Sequence, residues 1–236
     1  MLHSQKFTAA FADADTEPST LTEGTYLQLR RDIIEGRLPP GEKLRVEHLK
    51  DRYGVGAGTL REALSLLLSD ALVVSEGQRG FRVAPMSMSD LEDITRTRVL
   101  VEGEALRQSI IAGNDDWEAG LVAAFHKLSK SEEKLGERET GAVREWEARN
   151  REYHEALIAG CDSRWLRYLI GLLYRQSERY RHLVISHRNV ERDVHAEHSA
   201  IYEAALARDV KRAQAALEVH IHLTYDAIRK LLPALE

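Results

Sequence analysis

With 236 residues, 43% of them hydrophobic and 30% charged, the chain is long enough for two modest domains, each with its own core. No run approaches the eighteen or so apolar residues of a membrane span, and the first residues lack a basic segment followed by an apolar stretch, so a cytoplasmic protein without membrane contact is expected. The net charge of -5 argues against indiscriminate binding to nucleic acid, but residues 21–85 hold ten Lys/Arg against nine Asp/Glu while 86–236 hold twenty-two against twenty-six, a mild asymmetry that points any DNA contact to the front segment.

Residues 1–19 have no amphipathic period and read as a disordered arm. At Thr20 a capping-box pattern begins, with Glu23 three residues on, and Tyr26, Leu29, Ile33 and Ile34 share one helical face as far as Gly36. Pro39, Pro40 and Gly41 force a turn. A short helix over 45–53 follows, with Val46 and Leu49 inward and Gly54 ending it, and the next helix runs from Ala57 to Asp70 with Leu60, Leu64, Leu67 and Leu68 buried. Two short helices joined this tightly suggest a helix-turn-helix. Beyond them, 72–75 and 81–84 are β-prone runs around the glycine-rich loop 76–80, a hairpin that would form a wing.

From Ser89, with Glu92 as its capping partner, helical periodicity continues to the C-terminus. It is interrupted near Gly113-Asn114, Gly136, Gly160-Cys161-Asp162, His187 to Asn189 and Arg208-Asp209, which delimits six helices. The expected fold class is mainly α: an N-terminal winged helix-turn-helix over 20–85 and an all-α six-helix bundle over 86–236 whose sites face inward between helices. Cys161, the one cysteine, cannot form an internal disulfide and reads as a buried structural thiol.

Pro40-Gly41-Glu42-Lys43-Leu44, Gly54-Val55, Leu60-Arg61-Glu62-Ala63-Leu64 and Gly80-Phe81-Arg82-Val83, in this order, resemble the GntR winged-helix regulators. The second domain is similar to the ligand-binding (FCD) domain of the fatty-acid-regulator branch, and its six helices resemble the vanillate-regulator subgroup. The resemblance implies that Arg61 approaches DNA near the start of the recognition helix, and arginine there can reach a guanine edge or a phosphate. It implies weaker roles for Arg45 at the start of the preceding helix and for Gln78, Arg79 and Gly80 in the wing. The chain departs from the family at Gly56-Ala57-Gly58, where a polar triplet such as Ser-Arg-Thr is common. With a side-chain cap and an arginine missing, the amides around Gly58 and the Thr59 hydroxyl are left to meet phosphate.

Asn150 and His154 lie four apart on one helix face, and their segment resembles the family's Asp-x-x-Phe-His. His198 and His220 match the family's other metal histidines, so the resemblance implies a divalent transition metal, zinc first, with nickel or manganese as alternatives. Of ten histidines any single one is more often a surface or core residue than a ligand, and His195 and His222 would replace two of the three if the helix phase differed. Asn150 stands where the family usually has Asp, which should lower metal affinity and favour a carboxylate effector that completes the coordination. Arg98, in a recurrent Arg-x-x-Leu-Glu pattern with Val101 in the Leu place, would pair with that carboxylate or, equally, with Glu102 one turn on.

These implications describe a homodimeric, ligand-responsive repressor on palindromic operator DNA, and no enzyme. The alternative is a metal-dependent hydrolase built on the three histidines, but Ile158 occupies the second-histidine place of a zinc-protease helix that begins at His154-Glu155. An adaptor module would bind neither DNA nor metal.

Overall fold

The computed structural model describes residues 18–77, 80–137, 141–187 and 192–231, so all but the last two residues of the expected arm lie outside the described residues. The elements in chain order are α1 (Leu21–Ile34), β1 (Lys43–Leu44), α2 (Val46–Tyr53), α3 (Ala57–Ser69), β2 (Val73–Ser75) and β3 (Phe81–Val83). They continue with α4 (Met88–Ala112), α5 (Asp115–Glu137), α6 (Ala142–Leu157), α7 (Arg164–His187), α8 (Val194–Leu206) and α9 (Val210–Leu231). Among the described residues, a winged helix-turn-helix followed by six helices is the fold class that the periodicity predicts. The described residues form two compact units, one reaching to Ile94 and including Gly171–Leu183, the other comprising Thr95–Ile170 and the residues from Val184 onward.

In the first unit, the Thr20 hydroxyl accepts the Glu23 N–H at 3.1 Å, as a capping box requires. The reciprocal half is displaced by one residue: the Glu23 carboxylate accepts from the Ser19 N–H at 2.8 Å and the Ser19 hydroxyl at 2.7 Å. Leu29 and Ile33 of α1 are buried, whereas Tyr26 and Ile34, expected on the same face, are half-buried. Tyr26 instead donates its hydroxyl to Asp70 at 2.5 Å. Helix α2 begins at Val46 with Arg45 as its cap residue, and it ends at Gly54, whose φ of 64° is a left-handed conformation that a side chain would strain.

Two residues then lead into α3, where Leu60, Ala63, Leu64 and Leu67 are buried. Leu68, expected inside, is 41% exposed. At about 100° per residue it lies about 80° round the helix from Leu60, against about 20° for Leu67, which puts it at the edge of the apolar stripe. The wing strands pair antiparallel, Val73 opposite Val83 and Ser75 opposite Phe81. A third strand, β1, pairs on the other side of β3, with Leu44 opposite Phe81; two residues are too few to show alternation in sequence.

Gly171–Leu183 of α7 packs within this same unit through polar contacts. Arg175 meets the Asp70 carboxylate at 3.0 Å, Gln176 donates to the Asp70 carbonyl at 2.6 Å, and Arg179 donates to the Ala84 carbonyl at 2.5 Å. The Tyr180 hydroxyl accepts the Ser87 N–H at 3.1 Å and donates to Asp90 at 2.8 Å, while Arg30 pairs with Glu178. Ser87 also caps α4, accepting from the Asp90 N–H at 3.2 Å, so the cap lies two residues before the expected Ser89.

In the second unit α5 packs on α6, α8 on α9, and α5 on α8. Leu106, Leu121, Leu128, Tyr153, Ile201 and Ile221 are among its buried side chains. The break expected near Gly136 falls one residue on, where α5 ends at Glu137. Cys161 is buried and donates its thiol to Gln108 at 3.2 Å, a structural role. Gly160 lies so close to the α4 backbone that an added Cβ would sit 2.8 Å from the Ser109 carbonyl oxygen.

Candidate DNA-reading surface and metal centre

Helix α3 starts without a side-chain cap: Gly56 occupies the N-cap position and makes no side-chain hydrogen bond to the first turn. Its opening amides therefore lack a side-chain partner and, with the helix dipole behind them, offer donors to an anion. Gly58 is exposed and Thr59 half-buried in that turn; Arg61 and Arg45 are exposed. Three other arginines of the unit are committed: Arg37 to Asp32 and Glu35, Arg52 to Asp32 at 3.0 Å, Arg82 to Glu76 at 2.7 Å. Among the described residues Arg45 and Arg61 make no side-chain hydrogen bond or ion pair, which leaves their guanidinium forks open to phosphate or base edges. Gly80, half-buried with φ 96°, closes the wing turn by accepting the Glu76 N–H at 2.8 Å. Gln78 and Arg79 lie outside the described residues.

Within the second unit, α6, α8 and α9 bring His154, His198 and His220 together. All three are buried, and one nitrogen from each lies within 4.8 Å of the others. The ring centroids of His198 and His220 are 4.7 Å apart, and those of His154 and His198 are 5.7 Å apart. His198 Nε2 is buried without a hydrogen-bond partner. A buried acceptor left in this way costs free energy unless a donor or a cation meets it, and three converging imidazoles suit a divalent transition metal. Asn150 is buried one turn before His154 on α6, and Trp146 one turn before Asn150. His195 is 54% exposed and His222 is exposed, so neither belongs to the group.

Carboxylates stand behind two of the histidines. Glu132 of α5 is 2.7 Å from His198 Nδ1, and Glu197 of α8 is 2.8 Å from His220 Nδ1. Tyr153, fully enclosed, donates to the His198 carbonyl at 2.9 Å. Burial, then the Glu132 charge, pushes its phenol well above the ordinary value, which keeps it a donor.

Residues 21–83 match the family model for bacterial regulatory proteins of the gntR family, and residues 93–223 match that for the FCD domain. The chain belongs to the GntR family. Within it, this chain is 44% identical over 225 residues to BphR, an uncharacterised HTH-type transcriptional regulator of Paraburkholderia xenovorans strain LB400, covering 94% of this chain and 92% of that protein. It is 38% identical to the HTH-type transcriptional repressor GlaR of Escherichia coli K12, over 83% of this chain and 90% of that protein. Among solved structures, a GntR-family regulator from Pseudomonas syringae pv. tomato aligns over 97% of this chain and 93% of its own, with 27% identity and a TM-score of 0.55. Escherichia coli McbR/YncC aligns over 90% of this chain and 99% of its own with a TM-score of 0.72 at 21% identity, which speaks for the fold alone. The protein is a GntR-type transcriptional regulator with an FCD domain; its families and relatives are regulators, not enzymes.

In this GntR regulator Arg98 is buried and bonded to Glu102, Nε to Oε1 at 2.6 Å, the intrahelical pairing that the i, i+4 spacing allows. Sequence reasoning missed Glu132, which is separated by two helices, α6 and α7, from the histidine it touches, so no local pattern marks it. Glu197 and Tyr153 had a signal, since each is the immediate neighbour of a metal-site histidine in sequence.

Proposed function

We propose that this chain is a homodimeric, ligand-responsive repressor that binds palindromic operator DNA. In this reading residues 20–85 form the DNA-binding domain and 86–236 the effector-binding and dimerisation domain. Arg45, Gly58, Thr59, Arg61 and Gly80, with Gln78 and Arg79 of the wing, meet the operator. Work on the chromosome places the protein in the cytoplasm, and none of the described helices is long and apolar enough to cross a membrane.

His154, His198 and His220, with Asn150, hold a divalent transition metal, zinc before nickel or manganese. The observation that carries this is the convergence of three buried histidines within 4.8 Å. A bound ion supplies open coordination positions for an oxygen ligand of the effector. The residues do the rest: the imidazoles and Asn150 supply neutral donors, so an anionic oxygen of a small organic acid completes the coordination, and Arg98 turns part of its guanidinium to the acid's carboxylate. Binding of the acid favours one arrangement of the protein over another, and operator affinity falls by the difference in its affinity for the two. GlaR, named a repressor, supports the direction of control.

The test is capture of fragmented genomic DNA by the purified, metal-loaded protein at a stated moderate salt concentration, followed by sequencing. An enriched palindrome is the expected outcome, and the genes beside it nominate the acids to screen. Absence of any enriched sequence without added effector would overturn the operator reading.

A further inference from the structure

We propose that Glu132 and Glu197 are positioning residues of the metal centre, holding His198 and His220 in the tautomer whose Nε2 carries the lone pair toward the ion. This rests on the metal-centre reading above. A carboxylate only accepts hydrogen bonds, so the contact at 2.7 Å from Glu132 to His198 Nδ1 requires the proton on that nitrogen. At His220 the Glu197 carboxylate at 2.8 Å from Nδ1 outweighs the longer approach of Arg192 Nη2 to the same nitrogen at 3.3 Å and places the proton there too. In a neutral imidazole that leaves Nε2 as the acceptor, and in His198 this atom is the one buried without a hydrogen-bond partner. The carboxylates thus set which nitrogen is offered, fix the ring planes, and raise the basicity of the offered lone pair.

The two anchors are themselves held, by different means. Glu197 is gripped by Arg192, whose Nε donates to Oε1 at 2.6 Å and whose Nη2 donates to Oε2 and to the His220 carbonyl at 3.0 Å while passing 3.3 Å from His220 Nδ1. Glu132 is 11% exposed at its side chain and spends its second oxygen on His195 Nδ1 at 2.7 Å. Asn150 is neutral, so the anions hydrogen-bonded behind the histidines carry the charge compensation for a cation. Loss of either should be felt strongly.

Zinc affinity of the full chain, measured by competition with a chromophoric chelator, tests this, together with the visible spectrum of the cobalt(II)-loaded protein. Wild type should take one ion and His198→Ala should lose it. Glu132→Ala and Glu197→Ala should each bind zinc about 10–100-fold more weakly and change the cobalt spectrum, with the helical melting curve of the apo protein retained. If an alanine variant does not fold, Glu132→Gln and Glu197→Gln keep the shape, remove the anion, and should lose affinity in the same direction. Wild-type affinity and spectrum in these variants, with His198→Ala still defective, would overturn the positioning role and leave the metal centre standing. No zinc or cobalt uptake by wild type, or undiminished uptake by His198→Ala, would overturn both.

Discussion

Among the described residues Arg61 stands exposed on α3 and makes no ion pair, while Arg37, Arg52 and Arg82 are tied to carboxylates of their own unit. Removing a committed arginine disturbs the fold; removing Arg61 should disturb only what it meets from outside. Arg61→Ala is therefore expected to lose about 1–3 kcal/mol of operator affinity and relax base preference at one position per half-site, with an unchanged circular dichroism spectrum. Fluorescence anisotropy on operator and mutated-operator duplexes would show it, and unchanged affinity would remove Arg61 from the reading surface. Arg61, His154, His198 and His220 could be picked out in the sequence because each sits in a local pattern at helical spacing. Glu132 could not, because its partner His198 is 66 residues away and nothing near Glu132 in the chain distinguishes it from a solvated acid.

At the scale of elements, the end of α3 is tied to two other helices, α1 and α7, through Asp70. Asp70 accepts from Tyr26 of α1 at 2.5 Å, pairs with Arg175 of α7 at 3.0 Å, and through its carbonyl accepts from Gln176 at 2.6 Å. Burial and the Asp70 charge hold the Tyr26 phenol far above its usual range, so it keeps its proton and remains a donor. The side chains of Asp70 and Arg175 are 15% and 11% exposed, which makes the pair close to buried. Asp70→Ala strips the carboxylate from a guanidinium and a phenol at once and should cost on the order of 3 kcal/mol in urea unfolding. A change below about 0.5 kcal/mol, ordinary for a surface site, would show that the cluster contributes nothing. Helix positions followed from apolar period and caps, yet three details went differently for physical reasons. Leu68 falls at the stripe's edge, Ser87 precedes Ser89 as the available cap, and β1 is too short for any period to appear.

For the whole molecule, the metal centre predicts a linkage between ligand and stability. An ion bound by the folded protein stabilises it by about 2.7 kcal/mol when present at a hundred times its Kd, so chelation should lower the melting temperature of wild type and leave that of His154→Ala unchanged. Equal melting temperatures for wild type with and without chelator would count against the site. By itself the sequence determined the order and kind of the elements, the winged helix, the helical second half, the family, and three of the histidines worth watching. These depend on period, capping and turn chemistry, which act over a few residues. Only the tertiary structure decided that three histidines from α6, α8 and α9 meet within 4.8 Å, that His195 stays outside, and that Glu132 and Glu197 stand behind two of them. It alone also assigned Gly171–Leu183, a stretch remote in sequence, to the compact unit that carries the DNA-reading helix. Such contacts join residues tens to more than a hundred positions apart, and they depend on helix rotation and packing, which no local pattern encodes.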